Sequence, residues 1–237
     1  MKYCYDLHIH SALSPCCEDE NTPISVLATA SAVGLEIVAI SDHNAIQNVK
    51  VAQKVGEMLD ILVVPAIELQ TNEDIHLLCL FETFEDLEIF YNSIEFCDIP
   101  NRADIFGNQF IYNDDDEVVG ELPNMLLYAS NISENEVRKI IDKYNGIAIP
   151  AHIDRDSNSM LDILGDIPSG YSTIEISSKA SEDFIASWRD KFNIIIDSDA
   201  HTLNQIGSSR HFIDLEAKTT NCLIGKLRQK ITLFKKF

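Results

Sequence analysis

Two histidines one residue apart, His8 and His10, stand in the run Tyr5-Asp6-Leu7-His8-Ile9-His10-Ser11. Side chains alternate along a strand, so both imidazoles point to one face and can grip one ion. The chain has seven histidines, and four more fall beside a carboxylate or at the edge of an apolar run. They are His43 in Ile40-Ser41-Asp42-His43-Asn44, His76 in Asp74-Ile75-His76-Leu77, His152 after Ile147–Ala151, and His201 in Asp197-Ser198-Asp199-Ala200-His201. Glu68 follows the run Ile61–Ile67, Glu175 lies in Thr173–Ser177, and only His211 stands apart. Neutral imidazoles together with carboxylates suit zinc, manganese or iron(II). One histidine near a strand end is more often a hydrogen-bonded core residue than a ligand; the joint pattern is what points to metal. So many donors exceed the needs of one tetrahedral ion. Two to three divalent ions sharing a bridging carboxylate fit better, and such a site favours phosphate-ester hydrolysis.

Strands must bring these residues together. Residues 3–9, Glu36–Ser41, Ile61–Ile67, Ile75–Phe81, Ile147–Ala151, Thr173–Ser177 and Asn193–Asp197 read as strands. Thr22-Pro23 reads as an N-cap followed by proline at the first helical position, opening a helix to about Val33 with Gly34 behind it. Residues 45–58 and Glu85–Phe96 are helical in pattern, and Ser133 with Glu136 fits the capping box of a helix ending near Gly146. Apolar strands alternating with helices imply a parallel sheet covered by helices. Nearly all the candidate ligands then lie at C-terminal strand ends, with Glu68 just after the third strand and His76 within the fourth. In a closed barrel those ends meet at one rim. Residues 84–130 break the rhythm, with a hairpin of Gln109–Tyr112 and Glu117–Val119 around an acidic turn. The expectation is one domain over 1–237 with a cap inserted at about 84–130.

The 38 acidic and 18 basic residues give a net charge of −20. A chain this acidic is expected to repel nucleic acid, so general nucleic-acid binding is argued against. An anionic substrate is still allowed, because bound metal ions reverse the local field. The basic residues Lys226, Arg228, Lys230, Lys235 and Lys236 read as the solvated face of a last helix and an end strand. The six cysteines form no Cys-x-x-Cys and suggest no disulfide framework. No signal peptide is visible, and no apolar run approaches the ~18 residues of a membrane helix. A reduced, cytoplasmic location without a membrane partner is expected. Oligomeric state is not legible.

At these same residues the sequence resembles the PHP (polymerase and histidinol phosphatase) family. The matching pieces are Asp6-Leu7-His8-Ile9-His10-Ser11, Ile40-Ser41-Asp42-His43-Asn44, Pro65-Ala66-Ile67-Glu68, His76, Ile149-Pro150-Ala151-His152 and Ser198-Asp199-Ala200-His201. They span residues 6–201, and the run His10-Ser11-Ala12-Leu13-Ser14-Pro15-Cys16 with Ala151-His152-Ile153-Asp154-Arg155 is similar to a branch of small bacterial metal-dependent phosphoesterases. The resemblance implies a distorted (β/α)7 barrel, TIM-like, with its metal site at the C-terminal rim. It implies that His8 and His10 hold a first ion with Glu68 and Asp199, that Glu68 bridges to a second ion held by His76 and His152, and that His43 and His201 hold a third. Asp42 is a ligand or a partner of one. Many family members carry Ser-Asp-Gly after the first motif, and that aspartate helps to hold the third ion. Here the stretch is Ser14-Pro15-Cys16-Cys17-Glu18-Asp19, so either Cys16 as thiolate or Asp19 takes that place, or the third ion is weak and the site is binuclear.

The expected activity is hydrolysis of a small phosphorylated metabolite or nucleotide by metal-activated hydroxide. His201 is a candidate proton donor to the leaving group, assisted by Asp199 as a ligand. Arg155 is placed to hold the phosphate or, equally, to form a surface ion pair. Lys179 and Arg210 are weaker candidates. The rivals are a metal-dependent amide or ester hydrolase and a metal-loaded regulatory domain without catalysis.

Overall fold

The aliphatic runs form strands, and short polar segments between them set strand direction. The computed structural model describes residues 1–208 and 210–229. Its strands are β1 (Lys2–Ile9), β2 (Ile37–Ile40), β3 (Leu62–Gln70), β4 (His76–Phe81), β5 (Phe110–Tyr112), β6 (Val118–Glu121), β7 (Gly146–Pro150), β8 (Thr173–Ser177), β9 (Asn193–Asp197) and β10 (His211–Asp214). Its α-helices are α1 (Pro23–Val33), α2 (Val49–Met58), α3 (Phe84–Asn92), α4 (Ala103–Phe106), α5 (Glu134–Ile140), α6 (Met160–Leu164), α7 (Glu182–Trp188) and α8 (Thr220–Arg228). Local signals fix several ends. The Thr22 hydroxyl accepts the Ser25 N–H at 3.1 Å, and Gly34 ends α1 at φ 80°. Ser133 and Glu136 form the expected capping box.

A six-stranded sheet in the order β10-β1-β2-β3-β4-β7 curls around the core, and β8 pairs with β9 in a separate parallel ribbon. Isolated bonds, not ladders, tie the ribbon to the flank of β7 and to the end of β1: Ile153 N–H to the Glu175 carbonyl at 3.0 Å, His10 N–H to the Ala200 carbonyl at 3.0 Å and Ala200 N–H to the His8 carbonyl at 3.4 Å. The curled sheet and the ribbon are consistent with the expected distorted barrel, but the sheet is mixed and not parallel throughout. β4 runs antiparallel to both β3 and β7, and β10 runs antiparallel to β1. The reason is length. Only Thr71–Ile75 join β3 to β4, whereas a parallel crossover needs about a dozen residues. The turn closes with the Thr71 N–H on the Ile75 carbonyl at 2.9 Å and Asp74 at φ 64°.

Tyr5, Leu7, Ala39, Val64, Leu78, Ile149 and Ile195 pack together inside the curl, and Leu223, Ile224 and Leu227 of α8 join them. Phe84, Leu87 and Phe90 of α3 pack with Ile67, Leu69, Leu77 and Cys79 of β3 and β4, so α3 belongs to the wall of the main core. Beyond α3, the β5–β6 hairpin and its flanks lie over the loop after β1, where Leu13, Ala45 and Leu126 form a small cluster. In the basic C-terminal group, Lys226 is exposed on α8, but Arg228 is half-buried and donates to the Gly146 carbonyl at 2.8 Å. Lys230, Lys235 and Lys236 lie outside the described residues. Among the described residues no helix is long and apolar enough to cross a membrane.

Candidate metal centre

The rim gathers the residues in the order of the strands. His8 and His10 leave the end of β1 on one face, with ring centroids 5.1 Å apart. Asp42 and His43 follow β2. Glu68 lies inside β3 and not after it, because the antiparallel pairing with β4 extends that strand to Gln70. The Asn44 N–H donates to the Glu68 carbonyl at 2.9 Å, which sets Glu68 beside His43. Since β4 runs the other way, its first residue, His76, reaches the same rim. His152 and Asp199 follow β7 and β9 with φ of 31° and 48°, a backbone region that residues other than glycine rarely enter and that concentrates at functional sites.

Glu68 is the hub. Its Oε1 lies 2.9 Å from His76 Nδ1, 3.2 Å from His152 Nε2 and 3.3 Å from His8 Nε2. Its Oε2 lies 2.7 Å from His43 Nδ1 and 3.5 Å from His10 Nε2. Asp199 Oδ1 lies 3.0 Å from His10 Nε2 and 3.4 Å from His8 Nε2, and Oδ2 pairs with Arg155 at 2.5 Å. Ligand atoms of His8, His10 and Glu68, of His43, Glu68 and His76, and of His10, His43 and His201 each lie within 4.8 Å of one another.

Hydrogen bonding decides which nitrogen of each ring faces inward. His8 Nδ1 donates to both oxygens of Glu175, at 2.9 and 3.1 Å. The Ser14 hydroxyl donates to Asp42 Oδ1 at 2.7 Å, so at 3.1 Å it accepts from His10 Nδ1. The Nε2 lone pairs of His8 and His10 are therefore aimed at the carboxylates of Glu68 and Asp199. Acceptor facing acceptor in a dry site is unfavourable unless a cation lies between them. Four atoms of this cluster, His8 Nε2, His43 Nδ1, Glu68 Oε2 and His152 Nδ1, are buried without a hydrogen-bond partner among the described residues. The donor set of imidazole and carboxylate fits divalent transition metals.

The electrostatics agree. Burial opposes the charge on Glu68, but the imidazoles of His76, His43 and His8 outweigh it and hold its pKa well below the usual range. Burial likewise opposes the charge on Asp199, and His8 and His10 hold it low. His10 is pushed down to about 3 by burial and then by His201 and His43, so it stays neutral and available. Burial would also lower His8, but Glu175, Glu68 and Asp199 raise it well above its ordinary value. The field at that point is cation-seeking.

Asp42 sits apart from these clusters. Its Oδ1 accepts from the Ser11 N–H at 2.8 Å and the Ser14 hydroxyl at 2.7 Å, and its Oδ2 from the Ser11 hydroxyl at 2.7 Å. It holds the loop that follows His10. A cleft of about 290 Å³ opens on the cluster, and Cys16, Gln70, Leu127, Arg155 and Asn158 share its walls with the histidines. A polar groove of about 720 Å³ adjoins it through Arg155, Asp199 and His201, and Lys179 lies there. Arg210 lies beside Gly34 at the end of α1, and His211 pairs with Tyr5 on β10, both outside the lining of the cleft and groove. Glu175 is the partner that sequence reasoning noticed but gave no role. Its only signal was its place at the centre of an apolar strand.

No family model and no curated protein matches the sequence. Among solved structures the chain superposes on endonuclease Q of Pyrococcus furiosus with a TM-score of 0.67, at 18% identity over 96% of this chain and 56% of that one. A two-domain protein of Bacteroides vulgatus containing a predicted PHP-like metal-dependent phosphoesterase gives 0.58, at 13% identity over 96% and 63%. A proposed metal-dependent phosphoesterase of Bifidobacterium adolescentis gives 0.58, at 17% identity over 97% of both chains. The chain shares the fold of these solved structures. It spans little more than half the length of endonuclease Q. A complex of endonuclease Q with a 27-mer duplex substrate carrying an abasic lesion at the active site matches with a TM-score of 0.68, at 17% identity over 96% of this chain and 57% of that one. This overturns the argument from net charge against nucleic acid. The same fold accommodates DNA in endonuclease Q, and a total of −20 is a sum over the whole chain that does not fix the field at one rim.

Proposed function

We propose that this protein is a metal-dependent phosphoesterase. The observation that carries the reading is one buried carboxylate, Glu68, within 3.5 Å of five imidazoles whose inward nitrogens lack hydrogen-bond donors to face. His8, His10, Glu68 and Asp199 would hold one ion, and Glu68, His76 and His152 a second. Bound there, divalent ions supply Lewis-acid charge for a phosphoryl oxygen and lower the pKa of water near the phosphorus. The chain's own residues do the rest. Arg155 is anchored by one Nη on Asp199, and with its side chain 42% exposed it presents the remaining guanidinium N–H groups to phosphate oxygens in the cleft. His201 Nδ1 donates to the Asp199 carbonyl at 2.9 Å, which leaves Nε2 as an acceptor and suits this ring to ligation more than to proton donation. The left-handed backbone at His152 and Asp199 fixes both side chains on the rim.

The cleft volume suits a small phosphorylated substrate. A nucleic-acid strand is the second reading, favoured by the structural likeness to endonuclease Q. Metal-loaded protein should be assayed on an aryl phosphate, an aryl ester, a panel of phosphorylated metabolites, and duplex DNA with and without an abasic site. Phosphate release or strand cleavage that is lost with chelator supports the reading. Turnover of the aryl ester alone would replace it with carboxyl-ester or amide chemistry, and no turnover of any substrate by fully loaded protein would leave a binding domain.

A further inference from the structure

A third metal position needs donors that the first two do not use. His10 Nε2 is directed to the first position. His43 and His201 remain, with ring centroids 6.0 Å apart and each 4.4 Å from that of His10. Two imidazoles are too few to hold a transition metal firmly, since structural zinc sites use about four protein ligands. Two nearby carboxylates are engaged elsewhere, and Glu18 is not among the residues that line the cleft. Asp42 is filled by Ser11 and Ser14, and Asp19 accepts the Asn108 amide at 2.9 and 3.1 Å.

Cys16 is free and in place. It is a free cysteine that lines the cleft beside His43 and His201, and those two, with His10, offer ligand atoms within 4.8 Å of one another. The loop that carries it is held from two sides. Beneath it, Ser14 bonds to Asp42, and the His43 N–H donates to the Ser14 hydroxyl at 3.2 Å. Above it, Gly107 at φ +103° packs so closely that a Cβ there would stand 2.1 Å from the Pro15 carbonyl. The Phe110 N–H also donates to the Ala12 carbonyl at 3.0 Å, and the Tyr112 hydroxyl to the Asp19 carbonyl at 3.1 Å. The segment inserted after α3 thus clamps the cysteine over the two histidines.

We propose that Cys16 is a thiolate ligand of a third ion held with His43 and His201, in a nitrogen–sulfur site that selects zinc over manganese or magnesium. The proposal rests on the metal-dependent reading above and adds a soft donor to it. Sulfur and imidazole together favour zinc, whereas the mixed imidazole–carboxylate positions around Glu68 also accept harder ions such as manganese. Cys17 is the internal control, since its N–H is tied to the Ser14 carbonyl at 2.9 Å and, unlike Cys16, it is not among the residues that line the cleft.

The test uses the full chain stripped by chelator, reloaded with cobalt(II), and read by near-ultraviolet absorption and elemental analysis. Wild-type protein and Cys17→Ser should show a thiolate-to-cobalt charge-transfer band. Cys16→Ser should lose the band together with about one ion per chain, and Cys16→Asp should regain the ion without the band. Circular dichroism on the four proteins checks that the fold is kept. Wild-type protein that takes up cobalt without the band overturns the thiolate ligand and leaves the metal-dependent reading standing. A band that persists in Cys16→Ser also overturns it. A chain that takes up no cobalt refutes both.

Discussion

Glu175 grips His8 through both carboxylate oxygens, at 2.9 and 3.1 Å from Nδ1, and neither residue has any exposed surface. The contact fixes the tautomer and the ring plane, so His8 offers Nε2 to the rim. Outer carboxylates of this kind typically change metal affinity by about 10–100-fold. Glu175→Gln keeps the shape and removes the charge. Competition with a fluorescent chelator should show about that loss at the tightest site, with an unchanged far-ultraviolet spectrum. Equal affinity in the variant and the wild type would deny Glu175 this positioning role.

Glu68 touches five imidazoles, whereas His43 touches one carboxylate oxygen of the hub and shares the wall of the cleft with Cys16. Glu68→Gln should therefore lower aryl-phosphate turnover by at least about 100-fold, beyond the range that outer partners cost, and His43→Ala by less. Comparable losses would make the third position as necessary as the bridge. Full activity in Glu68→Gln is incompatible with the centre described above.

Removing the ions should destabilise the fold, because buried carboxylates and lone pairs then face one another at the rim. A ligand at about 100 times its dissociation constant stabilises by about 2.7 kcal/mol. For a domain of this size that corresponds to roughly 5–10 °C in Tm. Thermal denaturation with and without chelator measures the difference, and coincident transitions would contradict a structural contribution from metal.

Gly107 and Gly165 both lie at positive φ, +103° and +77°, but only Gly107 has a neighbour in the path of a Cβ. Gly107→Ala should cost about 1–3 kcal/mol, read as a lower urea midpoint at unchanged slope. Gly165→Ala should cost only about 1 kcal/mol from backbone preference. The difference also reports on the clamp over the Cys16 loop, so Gly107→Ala should reduce cobalt uptake at that position and Gly165→Ala should not.

The sequence by itself determined the features that near neighbours control. Thr22, Pro23 and Gly34 bound α1, Ser133 and Glu136 cap α5, and the His-x-His spacing puts His8 and His10 on one face. These follow from sterics and hydrogen bonds within a few residues, and the ligand-type residues could be gathered by counting strand ends. Tertiary structure decided the rest. The direction of β4, and with it the route by which His76 reaches the rim, depends on pairing with β3 and β7. Glu68 lies within a strand because β4 pairs alongside it. Asp42 serves the Ser11–Ser14 loop, and Glu175 holds His8 from 167 residues away. Such roles belong to whichever donor the closed curl brings within about 3 Å of a buried oxygen or nitrogen, because only there is an unpaired polar group costly enough to select a partner.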